Sequence, residues 1–171
     1  MDEYVKLAKY SVENFVKNRK MAKLYDTIPD ELISKKAGVF VSLKMNGNLR
    51  GCIGTIGPTK KNIAEEILEN SVTAAVGDLR FDPVREEELE QLVYSVDVLS
   101  EPEWIQSKDL LDPNIYGVIV TTGFKRGLLL PNLEGIDSVD EQISIALRKA
   151  GIKSDEEYKM ERFKVVRHTW N

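Results

Sequence analysis

The 171-residue chain has little of what metal and redox sites are built from: one cysteine, Cys52, and one histidine, His168. A single cysteine closes no internal disulfide, and one cysteine with one histidine excludes both a Cys/His zinc site and clustered-cysteine iron–sulfur ligation within the chain, so no metal is expected. A charged-then-apolar leader is missing, and so is any apolar run near the roughly 20 residues of a membrane span, which makes the cytoplasm the expected compartment and removes the membrane as a partner. An excess of positive charge is lacking too. The 24 Lys and Arg residues face 28 Asp and Glu, a net of -4, which argues against nucleic acid as a partner. Repeats, low-complexity tracts and Pro/Gly/Ser-rich linkers are also missing, so residues 1–171 read as one domain without a visible internal boundary. With 42% hydrophobic residues the chain can bury a full core.

What is present is an interleaved set of helix and strand signals. Val5, Ala8, Val12, Phe15 and Val16 recur at helical spacing and predict an amphipathic helix over residues 3 to 19. Two β-rich runs in GVFVSLKMNGNLRGCIG flank Asn46-Gly47, the strongest short hairpin signal. Residues 60 to 76 carry a wide apolar face ending at Gly77 and predict a buried helix. VYSVDVLS reads as a strand after a short helical turn, YGVIVTTGFKRGLLLP as a second hairpin turning near Gly123, and RFKVVRHTW as a final strand. Ser138 and Glu141 form a capping-box pattern ahead of Val139, Ile143, Ala146 and Leu147, with Gly151 past the end. Hairpins with irregularly placed helices predict an α+β fold: a mixed, largely antiparallel sheet with packed helices.

The segment LRGCIG concentrates the unusual residues. Strand alternation puts Leu49, Gly51 and Ile53 on one face and Arg50, Cys52 and Gly54 on the other, where a guanidinium would favour a thiolate. The alternative is a small buried thiol in a strand whose glycines mark a bulge. The run on through GTIGPTKK leads a glycine-rich turn into a helix start, so an anion could sit there, although neither the P-loop spacing nor the dinucleotide fingerprint is present and no cofactor is indicated. In DLRFDP, Asp78, Arg80 and Phe81 either border the same site or serve as an ion pair pinning a loop over a core aromatic. Arg126 and its neighbour Lys125 fall at a hairpin tip, as ligand contacts or as solubilising charge.

LRGCIG, then DLRF with Pro83, then RGLLLP, then the late KAG and a basic-aromatic final strand, in this order, resemble the AMMECR domain family, also called AmmeMemoRadiSam system protein A. The resemblance implies an α+β fold with a larger and a smaller lobe and LRGCIG near the cleft between them. It also implies association with a Memo-like protein and a radical S-adenosylmethionine protein, and importance for Leu49 to Gly54, for Asp78, Arg80, Phe81 and Pro83, and for Arg126, Gly127 and Pro131. It carries no reaction. After LLLP this chain continues Asn132-Leu133-Glu134 where relatives commonly have Gln-Val-Ala.

Two functions follow from the residues. The first is a binding or accessory module in which Arg50, Gly51, Gly54, Asp78, Arg80, Phe81 and Arg126 hold an anionic ligand or a partner peptide. The second is an enzyme with Cys52 as a thiolate nucleophile on a small molecule or a modified macromolecule. The module is preferred because a catalytic thiol needs a positioned base or acid and the one histidine lies far along the chain.

Overall fold

The computed structural model describes residues 1–171 and divides them into two compact units, Met1–Leu99 with Val166–Asn171, and Ser100–Val165. The first begins with α1 (Glu3–Asn18), whose first turn is capped by Asp2 accepting from the Tyr4 amide at 2.8 Å. A short α2 (Asp30–Ser34) follows, then β1 (Val39–Met45) and β2 (Asn48–Gly54). Asn46 and Gly47 join these strands with φ of 52° and 79°, the two positive values a type I′ hairpin turn requires. Next come α3 (Ile63–Val76), capped by Asn62, a 3-10 turn (Glu86–Gln91) and β3 (Leu92–Leu99).

The second unit holds β4 (Glu103–Ile105), a 3-10 turn (Lys108–Leu110), β5 (Gly117–Thr122), β6 (Lys125–Leu129), α4 (Val139–Ala150) and β7 (Lys159–Phe163). The chain then returns to the first sheet through β8 (Val165–Thr169). The final segment, expected as one strand, is therefore two, broken at Lys164 and belonging to different sheets.

The sheets run β2-β1-β3-β8 and β4-β7-β5-β6. Val39, Val41 and Leu43 of β1 alternate inward with Tyr94 and Val96 of β3, and they pack under α1 and α3 through Val5, Leu7, Val12, Ile63 and Ile67. In the second unit Val118, Val120 and Leu129 pack against Ile143, Ala146 and Leu147 of α4. The α+β architecture is the one expected, with two antiparallel sheets in place of one. No helix is long and apolar enough to cross a membrane.

Candidate functional site

β2 is an edge strand, and its register against β1 sets the face of each motif residue. Gly51 pairs with Leu43 and Ile53 with Val41, so both look toward α3; Cys52 pairs with Ser42, which in turn pairs with Ser95 of β3, so these three share the opposite face. The register slips between Leu43 and Lys44, with Lys44 opposite Leu49, so Arg50 is the extra residue of a β-bulge. The bulge re-aims Arg50 along the strand edge. Gly51 is required by proximity, because a Cβ there would fall on the Ala74 carbonyl oxygen of α3; at Gly54 it would strike the Phe40 ring.

Cys52 is half-buried and accepts a hydrogen bond on Sγ from the Ser42 hydroxyl at 3.1 Å. Its backbone N–H donates to Asp78 Oδ2 at 3.0 Å, and its carbonyl accepts from Arg80 Nη2 at 3.4 Å. Asp78 and Arg80 thus take the groups that a neighbouring strand would have paired. They also pair with each other in the bidentate geometry of a strong ion pair, Arg80 Nε to Oδ1 at 3.0 Å and Nη2 to Oδ2 at 2.8 Å. The Arg80 bonds hold the Asp78 carboxyl well below the usual carboxylate range, against burial that pushes it up, with the Cys52 amide adding to the lowering. Arg80 is raised above its ordinary value by Asp78 first, and the Cys52 sulfur adds to it; the same sulfur adds to the rise at Arg167 of β8, whose main cause is its bond to Asp97. Two guanidiniums therefore sense Cys52.

Arg50 is committed elsewhere. Its Nε and Nη2 bond the two Glu88 carboxylate oxygens, each at 3.0 Å, and Nη1 donates to the Asp82 carbonyl at 2.8 Å. The Arg50 bonds lower the Glu88 pKa against the effect of burial. With Phe81, Asp82, Arg85 and Glu87, this pair lines an open groove of about 480 Å³. The DLRF aromatic therefore faces a groove and does not plug the core.

The glycine turn after β2 does hold an anion, and the anion is the protein's own. The Glu66 carboxylate, 1% exposed on α3, accepts from the Thr59 and Lys60 amides, both at 2.9 Å, and from the Thr55 and Thr59 hydroxyls at 2.7 and 2.6 Å. Burial pushes its pKa up, but these four bonds outweigh it and the net is a lowering. The expected anion cradle is therefore filled from within the chain.

His168 lies on the helix side of its sheet, stacked on Tyr4 at 3.7 Å with Nδ1 2.8 Å from Asp2, while its neighbour Arg167 points to the Cys52 side. Arg126 belongs to the second unit, on β6, 3.5 Å from Glu161. The motif residues Arg50, Gly51, Cys52, Gly54, Asp78, Arg80 and Phe81 are gathered in the first unit. Sequence reasoning missed Glu66, Glu88 and Arg167. Glu88 hid in EEELE, which reads as a wet face; Glu66 was detectable as a carboxylate on an apolar helical stripe.

A family model described as AMMECR1 matches residues 5–168. The chain is 51% identical over 168 residues to a protein of Clostridium acetobutylicum, covering 98% of this chain and 36% of that protein's length. It is 48% identical over 167 residues to a protein of Thermotoga maritima, covering 96% of each. The crystal structure of an uncharacterized protein from Pyrococcus horikoshii superposes with a TM-score of 0.89 at 32% identity, over 96% of this chain and 88% of that one. With the family model spanning nearly its whole length and the fold matched by a solved relative, the chain belongs to the AMMECR1 family.

Proposed function

We propose that the chain is a binding or accessory module whose surface around LRGCIG receives an anionic ligand or a peptide of a partner protein. The observation that carries this reading is the state of Arg80. Its side chain is 59% exposed, yet Nε and Nη2 are fixed by Asp78 and the Cys52 carbonyl, and Nη1 spends no hydrogen bond. A guanidinium held still with donors turned to solvent loses little entropy on meeting a carboxylate or carbonyl group. A Memo-like protein and a radical S-adenosylmethionine protein are the proposed partners, on the family resemblance.

One observation favours an enzyme instead. The Ser42 hydroxyl and two nearby arginines would stabilise negative charge on Cys52 Sγ, as a nucleophile requires. The chain's one histidine is engaged with Asp2 and Tyr4 on the other side of the sheet, which weighs toward the module.

The test is calorimetric titration of the chain with the Memo-like and radical S-adenosylmethionine proteins of its own organism. Binding to at least one is expected, weakened about tenfold by Arg80→Ala and changed less than about twofold by Cys52→Ser. Binding indifferent to Arg80→Ala, or a turnover abolished by Cys52→Ser, would move the reading to the enzyme.

A further inference from the structure

The groove beside LRGCIG discriminates between the two ligand classes above, and the following inference rests on the module reading. A small free anion needs convergent cations whose charge is not already met. Here each guanidinium near the motif is paired with a carboxylate of the chain: Arg50 with Glu88 at 3.0 Å, Arg80 with Asp78 at 2.8 Å, Arg85 with Glu87 at 3.7 Å and Arg167 with Asp97 at 2.7 Å. A phosphate gripped by several cations would have to break one of these pairs, whereas a single carboxylate can meet a donor that a pair leaves over.

The capacity left over has a different pattern. Arg80 keeps Nη1 as an unused donor on the exposed side of its ion pair. Phe81 follows it, with the guanidinium 5.4 Å from the ring centroid, and also lines the groove. Asp82 comes next on the groove wall, exposed, and its carboxylate makes no hydrogen bond or ion pair, since only its backbone carbonyl is used, by Arg50. One donor and one acceptor, of opposite charge, therefore flank an aromatic residue in sequence, Arg80 beside the groove and Asp82 in its wall. The exposed Leu79 adds apolar surface next to them.

We infer that the groove takes an extended peptide of a partner protein that presents a carboxylate to Arg80 and a lysine or arginine to Asp82, with its intervening residue over Phe81. The charges complement each other without breaking the Arg50–Glu88 or Arg80–Asp78 pairs, and an arginine or lysine beside Phe81 gains a cation–π contact. The groove, about 480 Å³, is open to solvent, so a chain that continues beyond it can enter.

The probe is a phage-displayed random heptapeptide library selected on the whole native chain, with synthetic copies of the enriched peptides titrated afterwards. Enrichment of peptides carrying at least one acidic and one basic residue is expected. Their affinity should fall about tenfold or more in Arg80→Gln and, separately, in Asp82→Asn, and about threefold when salt rises from 50 to 200 mM. Asp82→Asn alters an exposed side chain without a partner, so it keeps the test decisive if Arg80→Gln disturbs the loop. No enrichment, or peptides indifferent to Asp82→Asn, overturns the inference. So does displacement of the peptides by millimolar inorganic phosphate, an outcome that would leave the module reading standing with a small anion as its ligand.

Discussion

Glu66 decides what the glycine-rich turn is for. A carboxylate 1% exposed would ordinarily be neutralised by burial, yet two amides and two hydroxyls within 2.9 Å keep it charged and, in doing so, fix residues 55 to 60 against α3. Asn70 on the same helix extends the clamp, donating to the Val39 carbonyl at 2.9 Å and to Thr55 at 3.3 Å. Glu66→Ala leaves four donors without their acceptor. It should lower stability by about 3 kcal/mol, read as a shift in urea midpoint at unchanged slope; a loss under about 1 kcal/mol would mean that water replaces the carboxylate and the clamp is dispensable. The sequence shows the turn's glycines and the helix start as an anion cradle. It does not show that the occupant is internal, because the partner lies on the face of α3 and only the packing of that helix brings it back over the turn.

At the scale of elements, legibility followed the local rules. The Asn46-Gly47 hairpin, the Ser138 cap accepting from Glu141 at 3.2 Å, and the ends of α1 and α4 are each fixed by residues within a turn or two of one another, and each lies where the pattern predicts. Elements defined by distant partners were not legible. β4 is three residues long and exists through pairing with β7, and the break at Lys164 depends on which sheet each half of the tail joins. The facing of Cys52 did follow from alternation, because the bulge at Arg50 precedes it and leaves the register of residues 51 to 54 intact. Arg50 itself was redirected by that bulge to Glu88. Gly51 ties the motif to α3: with a methyl group in the way of the Ala74 carbonyl, strand and helix must separate. Gly51→Ala should therefore cost about 3 kcal/mol, measured by chemical denaturation, and a change below about 0.5 kcal/mol would show that β2 is free to move away from the helix.

For the molecule as a whole, residues Ser100–Val165 form a unit set into the sequence of the other, between β3 and β8. No linker signal marks its ends in the sequence, and within the unit those ends are tied to each other: the Ser100 amide donates to the Lys164 carbonyl and the Lys164 amide to the Ser100 hydroxyl, both at 2.8 Å. The first unit's organisation around LRGCIG also sets how stability responds to acid. Asp78, Glu66 and Glu88 all have pKa values lowered in the folded chain, the first by Arg80, the second by its four hydrogen bonds against burial, the third by Arg50. A carboxylate with a depressed folded pKa contributes stability that is fully present above its unfolded value of about 4 and is lost as pH falls through the folded value, because the unfolded chain then binds protons the folded chain resists. The urea midpoint should therefore be level from neutral pH down to about 5 and fall continuously below about 4. Asp78→Asn removes one of the three contributions, so its midpoint should start lower at neutral pH and converge on the parent's in acid. Parallel curves for the two proteins would mean that the Asp78–Arg80 pair carries no protonation-linked stability, and that the guanidinium offered to a ligand is held in place by something other than its carboxylate.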